Sequence, residues 1–137
     1  MRSVNDGILA KVAVAPIAAS AAQTSDAIDT KGYNSVQFVI SNGAATGTPS
    51  SYTVDAKVQE CATSGGSYVD VTGATITQMT ADNKIQTIAV DGLGTSRKRY
   101  LKLVITPAMT GGTSPKALVA GIANLGRAFS GPVGNSN

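Results

Sequence analysis

The sequence predicts an all-β protein whose main domain is an antiparallel β-sandwich. Three observations indicate this: apolar residues recur at every second position in several short runs, turn-forming residues separate those runs, and 15 glycines occur among 137 residues. Alternation with a period of two is typical of strands with one buried face and one solvent-facing face. About seven to nine short strands at such spacing are typical of sandwiches and barrels.

Residues 1–24 are interpreted as an extended N-terminal arm. Met1–Ala22 loosely imitates a secretory signal, because an Ala/Val-rich stretch precedes several small residues. Charged residues and a proline interrupt that stretch, namely Asp6, Lys11 and Pro16. The arm interpretation is therefore preferred, with a possible strand at Ala10–Ala15. Deletion of Met1–Ala22 is expected to weaken attachment to a partner while leaving a folded sandwich.

Residues 25–129 form the predicted sandwich domain. Its clearest strand is Tyr52–Cys61, in which one face carries Tyr52, Val54, Ala56 and Val58 and the other carries Thr53, Asp55, Lys57 and Gln59. The other predicted strands are Ala27–Thr30, Tyr33–Ser41, Ser67–Val71, Ala74–Met79, Ile85–Val90, Lys98–Thr106 and Leu118–Leu125. The mixed small residues of Leu118–Leu125 indicate contact on both faces. Residues 130–137, rich in Gly, Ser and Asn, are predicted to be a flexible tail.

The composition argues against most catalytic chemistry. The chain has no His, one Cys, and 14% charged residues, against about 25% in average soluble proteins. Imidazole bases and ligands are excluded, and the lone Cys61 cannot form a Cys-based zinc site, so a structural role is expected for it. The acids show no spacing that indicates a carboxylate pair or a calcium loop. We therefore expect no enzyme activity, no cofactor, no metal and no small-molecule substrate. With no long apolar run, no membrane span is expected either.

The charges are distributed unevenly along the chain. Residues 1–91 carry five Lys/Arg against all eight acids, whereas residues 92–137 carry six Lys/Arg and no acid. These six residues are the candidate protein interface: Arg97, Lys98, Arg99, Lys102, Lys116 and Arg127. The cluster Arg97–Arg99 allows three interpretations: a solvated strand end that discourages edge pairing, a docking patch for an acidic protein surface, or a phosphate contact. Nucleic acid is the least supported partner, because few cations and one nearby aromatic residue are present.

Three segments resemble elements of a known class of virion proteins. They are Ile28–Phe38, then Tyr52–Glu60 followed by Gly66–Val71, and the basic-aromatic strand entry Arg99–Ile105. Together they extend over Ala27–Leu125. This pattern is similar to that of the jelly-roll cement or decoration proteins that bind the outside of the capsids of some short-tailed bacteriophages.

The resemblance implies a jelly-roll fold, binding to the major capsid protein, and self-association into dimers or other symmetric groups. It also implies a place on the outer capsid surface of a virion that is assembled in the host cytoplasm. No residue of known function is carried over by it. Two alternatives remain at this point: a phage neck, tail or fibre protein, and a carbohydrate-binding sandwich, which would normally expose more aromatic residues.

Overall fold

Two antiparallel sheets make up the structure, a computed structural model that describes residues 7–126. The strands in chain order are β1 (Ile8–Ala19), β2 (Gln23–Thr24), β3 (Ile28–Asp29), β4 (Ser35–Asn42), β5 (Ser51–Cys61), β6 (Val69–Thr75), β7 (Ile85–Asp91), β8 (Tyr100–Thr110) and β9 (Ala117–Gly126). Sheet 1 has the order β1-β9-β4-β7. Sheet 2 has the order β2-β8-β5-β6, with β3 also paired to β8.

The strand pairs are nested around the middle of the chain. The first strand, β1, pairs with the last, β9; β2 and β3 pair with β8; β4 pairs with β7; and β5 pairs with β6. Successive pairs alternate between the two sheets, and β2 and β3 together occupy one strand position. This arrangement is the eight-strand jelly roll, so the predicted antiparallel sandwich is confirmed.

The core lies between the sheets and consists of the apolar residues that alternation had placed inward. Val54, Ala56 and Val58 of β5 are buried, and their neighbours on the other face are exposed or half-buried. Corresponding residues of two other central strands, β4 and β8, are also buried: Val36, Phe38, Ile40, Leu101, Leu103 and Ile105. Burial of such side chains is the main favourable contribution to folding, at about 1.5–3 kcal/mol each.

The structure corrects the arm interpretation for residues 7–24, whereas residues 1–6 of the predicted arm lie outside the described residues. Residues 8–19 form the edge strand of sheet 1, in register with β9 from Ile8↔Gly126 to Ala19↔Ala117. Val14 and Ala19 are buried in the common core. In this register Val14 lies directly opposite Gly121 of β9. The predicted boundary at residue 25 therefore cuts through the sandwich. The predicted tail, residues 130–137, lies outside the described residues.

Two further elements differ from the prediction. The separate strands predicted at Ser67–Val71 and Ala74–Met79 are replaced by the single strand β6, which runs through Gly73. Gly73 has a φ of 81°, a conformation that glycine adopts without strain, so it bends the strand without ending it. The short β2 was not predicted. It is separated from β3 by Ser25, whose hydroxyl accepts the Leu103 N–H at 2.9 Å.

The connections divide into two groups at opposite ends of the sandwich. The first group, residues 30–34, 62–68 and 92–99, forms what we call the basic end, because it contains Arg97, Lys98 and Arg99. The second group, residues 20–22, 43–50, 76–84 and 111–116, forms the opposite end. Among the residues described, no helix has the length and apolar character that crossing a membrane requires.

Candidate protein interface

Four of the six candidate interface residues come together at the basic end. Arg97, Lys98 and Arg99 lie in the connection between β7 and β8, and Lys102 follows on the outer face of β8. Lys116 is at the opposite end, where it bridges to Thr46. Arg127 lies outside the described residues. The structure thus separates a set that the sequence presented as one basic region.

Arg99 is held by an ion pair to β3. Its Nε and Nη2 donate to the two carboxylate oxygens of Asp29 at 2.8 and 2.7 Å. The backbone oxygen of Arg99 accepts from both the N–H and the hydroxyl of Thr30, which fixes the position of the loop. The Arg99 hydrogen bond lowers the pKa of Asp29 to about 2, helped by the Lys31 N–H. Arg99 is therefore mainly a structural tie between β3 and β8.

This ion pair predicts a loss of stability in acid. The folded pKa of Asp29, about 2, is below the ordinary 3.8, so its contribution is complete above about pH 4 and is lost as pH falls towards 2. The change should be small, because the Asp29 and Arg99 side chains are 42% and 45% exposed. Urea unfolding midpoints of the native chain and Asp29→Asn should approach each other below about pH 4 and converge as pH falls to about 2. Asp26→Asn, which removes an exposed charge nearby, is the control. Midpoints that differ equally at all pH values would contradict this.

Glu60 organises the other two basic residues of the loop. It is buried at the end of β5, with 8% of the residue exposed. Its Oε1 accepts the backbone N–H of Lys98 at 3.0 Å, and its Oε2 lies 3.7 Å from Nη1 of Arg97. A buried carboxylate requires such partners, because desolvation of an unpaired charge is costly. Glu60 thus neutralises Arg97 and fixes the backbone of the cluster.

The lysines of the cluster remain available on the surface. Lys98 uses its backbone in the Glu60 contact, and the residue is exposed. The Lys102 Nζ lies 4.5 Å from the ring centroid of Tyr68, a cation–π contact that leaves the ammonium at the surface. Tyr68 in turn donates its hydroxyl to the Ser64 oxygen at 2.9 Å. Of the four candidate residues at this end, the two arginines are largely paired, whereas Lys98 and Lys102 have no ion pair among the described residues.

A polar network closes the opposite end. The side-chain amide of Asn42, a buried residue, donates to the Ala81 oxygen at 2.9 Å, and its oxygen accepts the Lys84 N–H at 2.7 Å. The Tyr52 hydroxyl donates to Asp82. Burial and this carboxylate raise the pKa of Tyr52 to about 12. Because every member has a structural partner, the network ties the 76–84 connection to β4 and β5.

Residues 7–126 contain no cluster of three or more His, Cys, Asp or Glu side chains that could hold a metal ion. Cys61 is buried at the end of β5, with its Sγ 3.9 Å from the Thr63 hydroxyl.

One surface was missed by reasoning from the sequence: the outer face of sheet 1. It exposes large apolar side chains, among them Val12, Ile85 and Ile122. The signal was present in Leu118–Leu125, where small and apolar residues occupy both faces of a strand. Charge distribution gave no indication of this face because it is almost uncharged.

Comparison with known protein families and with curated proteins finds no match to this sequence. Solved structures do match in fold. The PBSX exported protein XepA superposes with a TM-score of 0.61 at 12% identity, over 94% of this chain and 38% of that one. Chains from infectious bursal disease virus Gx strain and from the VP2 subviral particle of that virus give TM-scores of 0.54 and 0.51, at 12% and 10% identity.

The likeness to these structures extends over most of the present chain but only part of the others. The two viral comparisons cover 90% and 92% of this chain, and 33% and 34% of theirs. This chain therefore spans between a third and two-fifths of the length of these three proteins. At such low identity, the comparisons establish the shared jelly-roll fold.

Proposed function

We propose that this chain is a virion structural protein, and specifically a cement or decoration protein that binds the major capsid protein on the outside of an assembled shell. The observation that carries the proposal is the jelly roll itself, which resembles a viral particle protein over nine-tenths of this chain. The paucity of catalytic groups among its residues supports a role in binding and not in catalysis.

The proposed mechanism is stabilisation by mass action. A protein that binds the assembled shell and not the free subunit shifts the equilibrium towards the shell. Contacts to several subunits at once give avidity even when each one is weak. In this arrangement Lys98 and Lys102 at the basic end contribute electrostatic attraction to an acidic capsid surface, as the docking-patch interpretation requires.

Co-sedimentation with shells assembled from the major capsid protein of the same virus tests this proposal. We expect saturable binding at a fixed number of copies per shell. Lys98→Gln with Lys102→Gln should weaken binding about fivefold at low salt, since each exposed charge contributes up to about 1 kcal/mol. That difference should shrink at roughly 0.5 M salt, where screening is stronger.

Lys84→Gln with Lys116→Gln is the matched control, because it removes the same number of charges from the opposite end. Absence of the native chain from sedimented shells would contradict the proposed function. Identical binding isotherms for the double variant and the control, at all salt concentrations, would contradict only the role of the basic end. A copy number matching one ring per particle would favour a neck or tail position over the shell.

A further inference from the structure

The outer face of sheet 1 presents a surface of apolar and uncharged polar side chains. The strand register places Val12, Ile122, Val39 and Thr87 side by side in one row across all four strands. The next row contains Ala10, Asn124, Gln37 and Ala89. Directly opposed residues of antiparallel strands project from the same side of a sheet. The inward neighbours Phe38, Ile88 and Ala123 fill the core, so these two rows face outward.

Large apolar side chains on this face are exposed to an unusual degree. Val12 is 68% exposed, Ile85 62% and Ile122 44%. Four of the seven exposed large apolar residues within 7–126 lie on the outer face of sheet 1: Val12, Ile85, Leu118 and Ile122. Contiguous apolar surface of this kind marks an interaction site in soluble proteins.

The two outer faces differ sharply in charge. Within the described residues, sheet 1 carries one formal charge on its outer face, Asp91, at the corner where β7 ends. The outer face of sheet 2 carries Asp55, Lys57, Asp70 and Lys102, with Lys57 paired to Asp70 at 3.2 Å. Sheet 2 is therefore built to face water, whereas the central rows of sheet 1 lack the charges that normally keep a strand surface solvated.

We propose that the outer face of sheet 1 is the interface through which two copies of this chain associate. In a two-fold symmetric contact the same patch meets itself, so any charge on it faces an equal charge or needs an opposite one nearby. An uncharged patch avoids this repulsion, and depletion of charge is characteristic of the centre of homodimer interfaces. An anionic lipid surface would instead require Lys or Arg side chains on this face. The Lys and Arg residues within 7–126 lie elsewhere.

The area of this face is compatible with a second copy of the chain as its partner. Four strands at about 4.8 Å spacing, eight residues long at about 3.4 Å each, cover roughly 500 Å². Two copies packed face to face therefore bury about 1,000 Å² in total, near the lower bound for a specific interface. Two sheets pack in this way at about 10 Å separation, as they do within a sandwich. We accordingly expect a dimer that dissociates on dilution.

Sedimentation velocity of the native chain over roughly 1–500 µM tests the proposal and does not depend on shell binding. A monomer–dimer equilibrium is expected. Val12→Lys and Ile122→Lys should weaken dimerisation at least about thirtyfold, because each dimer carries the substitution twice. Val69→Lys is the matched control: Val69 is 54% exposed but lies on β6 of sheet 2. Thr87 is an exposed polar residue in the same row. Thr87→Lys should therefore weaken dimerisation as Val12→Lys does, and it remains a valid test if substitution of Val12 or Ile122 disturbs folding.

Two outcomes would overturn the proposal. The first is a native chain that stays monomeric throughout the concentration range. The second is a dimer that Val69→Lys weakens as much as Val12→Lys or Thr87→Lys does. If the native chain is monomeric and Val12→Lys abolishes its binding to shells, the face is assigned to the shell protein in place of a second copy. Proposed function and proposed interface can thus fail separately.

Discussion

Deletion of residues 1–22 is expected to abolish the cooperative unfolding transition of the sandwich. The deletion removes all of β1, including the buried Val14 and Ala19. It also uncovers one edge of β9 along its whole length, from Ala117 to Gly126. Since a small domain is stable by only about 5–15 kcal/mol, loss of an entire strand and its ladder of hydrogen bonds removes most of that margin.

Circular dichroism during thermal unfolding measures this effect. Deletion of residues 1–6 is the matched control, because it leaves β1 complete, and its melting temperature should stay within a few degrees of that of the native chain. A 1–22 deletion that still melts cooperatively within about 5 °C of the native chain would show that β1 is dispensable for folding. A folded sandwich after this deletion is what the arm interpretation predicts.

A second large effect is expected where β9 crosses β8 in the core. A Cβ placed on Gly121 would lie 2.5 Å from Cδ2 of Leu103 and 3.4 Å from Cδ1 of Ile105. Leu103 is fully buried, so it cannot move into solvent. We expect Gly121→Ala to destabilise the fold by about 1–3 kcal/mol through overpacking, and Leu103→Ala to cost about 2–5 kcal/mol through the cavity it leaves.

The two substitutions should compensate when combined. The alanine methyl at position 121 would occupy space that Leu103→Ala vacates, so the double variant should be more stable than the sum of the single effects by at least about 1 kcal/mol. Urea denaturation of the four proteins measures this coupling. Leu101→Ala is the control, because Leu101 is equally buried on the same strand but is not among the nearest neighbours of Gly121. Additive costs for the Gly121–Leu103 pair would contradict the proposed contact.

The fold was predictable wherever alternation was long and regular. Residues Tyr52–Cys61 alternate over a full strand, and β5 occupies Ser51–Cys61 in the structure. The Ala-rich segment of β1 was harder, because its bulges at Val12–Val14 and Val14–Ile17 shift the register and break the period of two. The two strands predicted on either side of Gly73 are one strand in the structure, because a positive φ inside a strand cannot be distinguished by sequence from a turn.

The candidate interface was only partly predictable for a different reason. Sequence showed which residues carry positive charge but not which of them are neutralised. Asp29 and Arg99 are 70 positions apart, and Glu60 and Lys98 are 38 apart. Only the folded chain brings these pairs together and leaves Lys98 and Lys102 as the candidates at the basic end without an ion pair among the described residues. The same folding places Lys116 at the other end of the molecule.

The nested pairing of the strands has a consequence for how the chain folds. The innermost pair, β5 and β6, is joined by the short connection 62–68 and closes a small loop. The outermost pair joins Ile8 to Gly126, nearly the full length of the described chain. Because entropy opposes closure of long loops, we expect the two ends to meet last and the molecule to fold slowly from its middle outward. Until then β9 has an open edge, so a newly synthesised chain is exposed to mispairing with its neighbours until its first strand returns to its last.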